Sequence, residues 1–361
     1  MISVRGDVAA MLFALADETG SEGQKSPWVG PDYHLHGAII GGGDAIEEAS
    51  WAAREFARTF PGVPPHISEI VDHELQLDAL RWVISFVSER DIQFRFAAIE
   101  RAYWPTVVLT ELMLGAFGFR GVPIKTIPGP YSELLELCAS RLVPRSFVKR
   151  FWEIWGKGNP AALTHFLSNV TIREMSSPCG TAMAELLWFG SRCLLEENKS
   201  IHRLVNDRVF DRLRMTIEVT AFENLLAGLI AEAEGGPISI GQDSNDKLRR
   251  WNKERFRKTE RSTCTALWFG EGKGDKPKFF VVDALLWLSS KCFGLEASRS
   301  NDRFQAIFEE LQMKAGFIRY RGTSRFTAVK ALSGRSFSIE KDGTFTRLLE
   351  EYHAVGDRFR R

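Results

Sequence analysis

The feature that most constrains the fold is an apolar run near the start of the chain that ends at two adjacent carboxylates. From Val8 to Ala16 nearly every residue is apolar, and Asp17 and Glu18 follow directly. A continuous apolar run of this length is typical of a strand that is buried on both faces of a sheet. The run therefore predicts a central β-strand that delivers acidic groups to its carboxyl end.

The elements that follow the first strand indicate an α/β domain. The patterns of apolar and polar residues predict a second strand at 32–40, helices at 45–60 and 73–90, and a third strand at 92–100. Strands and helices that follow one another in this way form a sheet with helices packed on its faces. The first hundred residues therefore predict an α/β fold.

The middle of the chain has a different character. From about 121 to 235, successive segments show the helical spacing of apolar residues, with proline and glycine between them. We interpret this stretch as a helical insertion, after which a short strand at 238–241 resumes the sheet. A basic helix, a helix at about 279–293 and a helical and basic C-terminal extension at 296–361 complete the chain.

The charge balance and the cysteines limit the function classes. The chain has 47 basic and 46 acidic residues, so no chain-wide field attracts it to nucleic acid or to anionic lipid. Its five cysteines are an odd number without metal-knuckle spacing, which is typical of reduced thiols in a cytoplasmic protein. We find no convincing signal peptide, and the apolar run at 104–119 is shorter than the roughly 20 residues of a bilayer span. We therefore expect a soluble cytoplasmic protein without a membrane partner.

Acidic residues end or interrupt several of the apolar segments. Asp17 follows the first strand, Glu100 closes the third, Asp243 follows the strand after the insertion, and Asp283 lies within an apolar helix. Each of them, taken alone, also fits an ordinary turn or helix cap. Asp283 is the hardest to explain in this way, because carboxylates in apolar surroundings are rare unless they are paired or bound to a metal.

A shared site explains these acids together. Parallel strands bring their carboxyl ends to one edge of a sheet, and a helix can place its own acid over that edge. Several carboxylates at one place repel one another unless divalent cations lie between them, and oxygen ligands suit Mg²⁺ or Mn²⁺. Two such ions about 3.5–4 Å apart stabilise the attacking and leaving oxygens of a phosphoryl displacement. The pattern therefore predicts the chemistry of a nuclease.

The order of these motifs resembles the domain-of-unknown-function 3800 family, which is regarded as ribonuclease H-like. The resemblance covers residues 8–295 in order, across the variable helical middle. It is carried by the stretches ADETG at 16–20, HLHGAII at 34–40, FAAIER at 96–101, ISIGQD at 238–243 and FFVVDALLW at 279–287. The chain departs from the family pattern at Thr19, where serine is usual, at Arg101, where lysine is usual, and at Val282, where alanine is usual. None of these departures removes an acid.

The resemblance implies a fold and a set of site residues. The fold would be a ribonuclease H-like mixed sheet with flanking helices over residues 1–295, interrupted by the large all-helical insertion. Asp17, Asp243 and Asp283 would be the catalytic acids that bind Mg²⁺ or Mn²⁺, and Glu100 would be a fourth catalytic acid. Glu18 would replace or assist Asp17.

The basic helix after Asp243 has two interpretations. Residues 246–261 contain eight lysines and arginines together with Trp251 and Phe256. Such a helix can follow a phosphate backbone and stack a base, or it can be a solvated face whose aromatic side chains belong to the core. Under the first interpretation the nucleic-acid contacts are Lys247, Arg249, Arg250, Lys253 and Arg257.

Two histidines form a further pattern. His34 and His36 alternate on one face of the second predicted strand. They could be metal ligands, or they could satisfy local hydrogen bonds, and the sequence offers no evident third ligand.

Two functional hypotheses follow from the sequence. The first is a metal-dependent nuclease that hydrolyses phosphodiester bonds of DNA or RNA. The second is a catalytically inactive scaffold of the same fold, which binds nucleic acid or binds a protein partner through the helical insertion.

Overall fold

The chain folds into two compact units, seen in a computed structural model. The structure describes residues 11–19, 27–28, 32–118, 129–177, 181–196, 201, 216–233, 236–243, 245–258, 265–270, 276–292, 302–314 and 318–319. The described residues of 1–101 and 216–322 form the first unit, and those of 102–215 form the second. Both boundaries of the second unit lie earlier than those of the predicted insertion, 121–235. The reason is that a helix at 104–118 packs within the second unit, whereas a helix at 217–232 packs on the sheet of the first.

The first unit is built on one mixed sheet. Its strands are β1 (Leu12–Thr19), β2 (Tyr33–Gly41), β3 (Gln93–Glu100), β4 (Ile238–Gln242), β5 (Thr265–Phe269) and β6 (Ile318–Arg319). Their order across the sheet is β5-β4-β1-β2-β3-β6. β2 is antiparallel to both of its neighbours, whereas the pairs β1–β4, β4–β5 and β3–β6 are parallel. The α/β class with a mixed sheet is thus confirmed. Because β1, β3 and β4 run in the same direction, their carboxyl ends lie at the same edge of the sheet.

The two faces of the sheet are covered by different helices. Helices α1 (Gly43–Thr59), α2 (His73–Glu89), α11 (Phe280–Cys292) and α12 (Asp302–Lys314) pack on the face that carries Leu15, Leu35 and Ile39, and their side chains join one buried apolar cluster. We call this side the α11 face. Helix α9 (Ile217–Glu232) packs on the opposite side, the α9 face, where it contacts β2 and β3. Helix α10 (Asp246–Lys258) packs against α9.

The length of β1 determines which acidic side chain lies on each face of the sheet. The sequence predicted that the first strand ends at Ala16, but β1 continues to Thr19, so Asp17 and Glu18 lie inside it. Successive side chains of a strand point to opposite faces. Asp17 therefore lies on the α11 face with Leu15, and Glu18 lies on the α9 face with Ala16.

A glycine in β2 lets α11 approach the sheet. Gly37 pairs with Asp17 across the β1–β2 ladder. A Cβ atom at Gly37 would lie 2.9 Å from Leu286 Cδ2 and 3.0 Å from Phe94 Cε2. Because α11 lies this close, Asp283, which precedes Leu286 by one helical turn, is carried towards the edge where β1 ends.

Every element described in the second unit is a helix, as the sequence predicted for the middle of the chain. These helices are α3 (Trp104–Gly118), α4 (Gly129–Leu142), α5 (Arg145–Gly156), α6 (Pro160–Asn169), α7 (Ile172–Met175) and α8 (Thr181–Glu196). Gly190 of α8 lies against the backbone of α3, since a Cβ atom there would be 2.2 Å from the Met113 carbonyl oxygen. Among the residues that the structure describes, no helix combines the length and the apolar character that crossing a bilayer requires.

The predicted C-terminal extension, 296–361, is described only in part. Its helix α12 (Asp302–Lys314) packs against α2 and α11, and β6 pairs with β3, so both belong to the first unit. Residues 320–361 lie outside the described residues.

Candidate functional site

Three of the predicted acids come together on the α11 face. Asp17 lies near the end of β1, and Asp243 follows β4, with its backbone N–H donating to the Ala16 carbonyl oxygen at 3.1 Å. Burial raises the pKa of the Asp17 carboxyl well above its ordinary value, and the carboxylates of Asp283 and Asp243 raise it further. Acids that are more than two hundred positions apart in the sequence therefore act on one another at one edge of the sheet.

Asp283 is partly exposed to solvent. Its side chain is 33% exposed, and its Oδ2 atom lies 3.2 Å from Nδ1 of His66. The apolar neighbours of Asp283 in the sequence suggested deeper burial, but the residue lies in the first turn of α11, where the helix reaches the sheet edge. A bond to His66 fixes one of its oxygens, and the exposure leaves the carboxylate open to an ion from solvent.

Glu100, the fourth predicted catalytic acid, is placed elsewhere. It ends β3 and pairs with Tyr33, whereas the row that contains Asp17 continues through Gly37 to Phe96. Glu100 is thus two strands away from Asp17 and four residues further along, about 13 Å in the strand direction. The register does not bring Glu100 next to Asp17.

On the α9 face, Glu18 lies against two histidines. Its Oε2 atom is 3.8 Å from Nδ1 of His36 and 4.0 Å from Nε2 of His34. Glu18 and His36 are direct partners in the β1–β2 ladder, and His34 is two residues further along the same face. The other carboxylate oxygen, Oε1, accepts a hydrogen bond of 2.9 Å from the Asn245 amide.

Further charged groups surround this cluster. Glu218 of α9 is buried, and its Oε1 atom is 2.7 Å from Nζ of Lys247. Burial and the Glu218 carboxylate raise the pKa of Glu18 to about 7, while the hydrogen bond from Asn245 and the charge of Lys247 act in the opposite direction. Burial lowers the pKa of the Arg101 guanidinium, and the Glu218 carboxylate acts against that change. The α9 face is therefore a buried polar region with charges of both signs.

The ring of His36 is held on two sides. Its Nε2 atom is 2.8 Å from Oε1 of Gln242, and the ring packs against Phe222 with 5.0 Å between the ring centres. Burial lowers the pKa of His36 to about 3, so the ring is neutral at neutral pH. With the Gln242 carbonyl as acceptor, the proton of the neutral ring is on Nε2, and the lone pair of Nδ1 faces Glu18.

The basic helix α10 divides into bound and exposed residues. Lys247 is paired with Glu218, and the Arg249 guanidinium donates to the Gly270 carbonyl oxygen. Arg250 and Lys253 are exposed and can reach a phosphate backbone, whereas the side chain of Arg257 lies outside the described residues.

The sequence left open whether Trp251 of the basic helix stacks a base or belongs to the core, and the structure answers this. It is buried, its Nε1 atom donates to Oε1 of Glu223 at 2.9 Å, and its ring packs edge-on against Phe222. Trp251 is therefore a core residue of the α9–α10 pair and does not provide a platform for a base.

Sequence reasoning missed the cluster on the α9 face. His34 and His36 were recognised as a pair without a third ligand, and Glu18 was expected to replace or assist Asp17. Glu18 lies opposite His36 because of the pairing register between β1 and β2, and this register cannot be seen within either segment alone. The alternation of side chains along a strand could have found the cluster. If the strand continues past residues 17 and 18, these two acids must point to opposite faces.

The chain was also compared with known proteins. No protein-family model, no curated protein and no solved structure matches it.

Proposed function

We propose that the protein is a metal-dependent nuclease of ribonuclease H-like fold, which hydrolyses phosphodiester bonds of DNA or RNA with Mg²⁺ or Mn²⁺. The observation that carries the proposal is that the carboxylates of Asp243 and Asp283 both act on the buried carboxyl of Asp17 near the end of β1, beside the backbone bond from Asp243 to Ala16. A mixed sheet with helices on both faces and acids at this edge is what the resemblance implies.

The donor set of the α11 face suits a hard divalent cation. Asp17, Asp243 and Asp283 offer oxygen atoms, which Mg²⁺ and Mn²⁺ prefer over nitrogen or sulfur. Without a cation, burial and then the repulsion from the neighbouring carboxylates raise the pKa of Asp17 and favour its protonation. A bound divalent ion would keep all three acids ionised and would polarise a phosphodiester and a water molecule.

The remaining residues have positioning roles in this proposal. His66 orients the Asp283 carboxylate through the contact of 3.2 Å. The exposed side chains of Arg250 and Lys253 lie on the helix that follows Asp243, and they would hold the phosphate backbone without reading sequence.

The proposal is tested by Asp17→Asn and Asp283→Asn in the full chain. Labelled single-stranded and double-stranded DNA and RNA are incubated with Mg²⁺ or Mn²⁺, and parallel samples contain a chelator. We expect both variants to lose activity by on the order of 100-fold or more, because each removes a ligand of the ion that stabilises the transition-state charge. Asp78→Asn, the same change at an exposed position of α2, is the matched control and should keep its activity.

Folding is checked by circular dichroism for every variant. Mg²⁺-dependent cleavage that persists in folded Asp17→Asn or Asp283→Asn would refute the proposal. If the wild-type chain binds nucleic acid without cutting it under any of these conditions, the scaffold hypothesis takes the place of the nuclease.

A further inference from the structure

The α9 face carries a second group of metal-ligand residues. One ligand atom from each of Glu18, His34 and His36 lies within 4.8 Å of the others. Both histidine side chains are fully buried, and the Glu18 side chain is 14% exposed. This group lies on the other side of β1 from Asp17, and the Asp243 carboxylate raises the pKa of both Asp17 and Glu18.

The facing atoms of Glu18 and His36 are unsatisfied. Within the described ranges, neither Glu18 Oε2 nor His36 Nδ1 has a hydrogen-bond partner. Their separation of 3.8 Å is too long for a direct hydrogen bond. A buried polar atom left without a partner costs about 1–3 kcal/mol, so two of them that face one another indicate that another group belongs between them.

The chemistry of the three side chains identifies the class of that group. Two imidazoles and one carboxylate are the ligands of catalytic zinc sites and of non-haem iron sites. Imidazole nitrogen binds Zn²⁺ and similar transition-metal ions well, whereas Mg²⁺ prefers oxygen. We propose that Glu18, His34 and His36 form a second metal site, on the α9 face, for a divalent transition-metal ion of the Zn²⁺ class.

The spacing fits such an ion after a small movement. Two ligand atoms that are each about 2.0–2.2 Å from a tetrahedral ion are roughly 3.4 Å from one another. Glu18 Oε2 is 3.8 Å and 4.0 Å from the two ring nitrogens, so each of these distances must shorten by about half an ångström, and the ligand atoms of the two histidines must approach from a separation of at most 4.8 Å. Rotation of the Glu18 side chain brings its carboxylate closer, and rotation of the two imidazole rings would bring their nitrogens together.

Neighbouring residues already hold two of the ligands in place. Gln242 binds Nε2 of His36 and leaves Nδ1 for the ion. Histidine ligands usually make such a hydrogen bond through the ring nitrogen that does not bind the metal. Asn245 donates to Oε1 of Glu18 and leaves Oε2 directed at the histidines. The site therefore has an oriented histidine and an oriented carboxylate.

The position of the site suggests what the ion does. Asn245 also caps α10, because its Oδ1 atom accepts from the backbone N–H groups of Lys247 and Leu248. An ion held by Glu18 would thus connect the end of β1, the start of β2 and the beginning of the basic helix. It would fix the strand that carries Asp17 without taking part in the chemistry on the other face.

The test uses Co²⁺ as a probe, because its visible absorption reports the ligands. The full chain is freed of metal with a chelator and titrated with Co²⁺, and Zn²⁺ or Mg²⁺ is then added. We expect one Co²⁺ per chain to give the strong absorption of a low-coordinate nitrogen-containing site, which Zn²⁺ displaces and excess Mg²⁺ does not. Absence of this absorption in the wild-type chain, or its displacement by Mg²⁺, would overturn the proposal.

Variants assign the absorption to this site. Glu18→Gln and His36→Gln should weaken Co²⁺ binding by more than about 100-fold, which is the upper value for loss of an outer contact alone. His165→Gln, at an exposed position of α6, is the control and should bind as the wild type does. Glu18 is at the partly exposed edge, so Glu18→Gln keeps the test decisive if His36→Gln does not fold. Unchanged affinity in folded Glu18→Gln would show that the ion lies elsewhere.

Discussion

Two adjacent residues of β1 belong to two different groups of polar side chains, one on each face of the sheet. Asp17 meets Asp243 and Asp283, which offer oxygen atoms, whereas Glu18 meets His34 and His36, which offer ring nitrogens. The pleat of the strand makes this separation, because it sends consecutive side chains to opposite faces. A single pair of acids in the sequence can thus serve two sites of different chemistry.

The helices that cover the two faces make the sites differ in access. On the α11 face, Asp283 is one third exposed and can meet an ion or a substrate from solvent. On the α9 face, the histidines are fully buried beneath α9, and Phe222 packs against the ring of His36. An accessible oxygen site suits an ion that acts on a substrate, and a closed site with histidine ligands suits an ion that stabilises the fold.

The sharpest test of this comparison exchanges the two acids for their amides in separate chains. Asp17→Asn should lose nuclease activity by on the order of 100-fold or more and keep the Co²⁺ absorption, because the ligands on the α9 face are intact. Glu18→Gln should lose the Co²⁺ absorption and keep its stabilisation by Mn²⁺. Nuclease activity, Co²⁺ absorption and stabilisation by Mn²⁺ are measured on both variants. If either folded variant loses all three, the two faces form a single site.

The second prediction concerns the approach of α11 to the sheet. Gly37→Val should lower the free energy of unfolding by about 3 kcal/mol, because the new side chain meets Leu286 and Phe94 in a filled core. Chemical denaturation gives the change. Gly156→Ala, where a Cβ atom meets nothing within 4 Å, is the control and should show no loss.

The same variant links packing to the site. If α11 is pushed away from Gly37, Asp283 moves away from Asp17, so folded Gly37→Val should also bind Mn²⁺ more weakly. Full Mn²⁺ affinity in a destabilised Gly37→Val chain would mean that the position of α11 does not control the acid site.

The third prediction concerns stabilisation by the ion itself. A chain that binds Mn²⁺ only when folded should gain about 2.7 kcal/mol at an ion concentration 100 times its dissociation constant. Thermal unfolding with and without Mn²⁺ measures this gain, which should be absent from Asp283→Asn and present in Asp78→Asn. No shift in the wild-type chain would favour the scaffold hypothesis over the nuclease.

The parts of the fold that could be predicted are those that local pattern determines. Helices predicted at 45–60 and 73–90 are observed at Gly43–Thr59 and His73–Glu89, because each has an apolar stripe with helical spacing. The strand at Thr265–Phe269 was not predicted. It has five residues, and its place beside β4 depends on a pairing partner that lies elsewhere in the sequence.

The two sites differ in the same respect. The acids of the α11 face could be predicted because each ends or interrupts an apolar segment, and parallel strands bring such ends together. The group on the α9 face could not, because it depends on which residue of β1 pairs with His36. A shift of one residue in that register would turn Glu18 to the other face, and nothing within either segment determines the register.

The smallest expected effect is a pH dependence that belongs to Glu18 alone. The pKa of Glu18 is raised from its ordinary value of 4.5 to about 7. Between these values the folded chain keeps a proton that the unfolded chain has released. The contribution of this group to stability is therefore complete below pH 4.5 and is lost as the pH rises to 7.

Glu18→Gln removes this loss. With a chelator present, its free energy of unfolding should rise relative to that of the wild type by about 2.5 kcal/mol between pH 4.5 and 7. His36, whose pKa is lowered to about 3, has the opposite effect, since its contribution is lost as the pH falls below 6.5. That contribution is present in both chains and cancels in their difference. Glu47→Gln, at an exposed position of α1, is the control, and a difference for Glu18→Gln that is as flat as that of the control would mean that Glu18 is not buried beside the histidines.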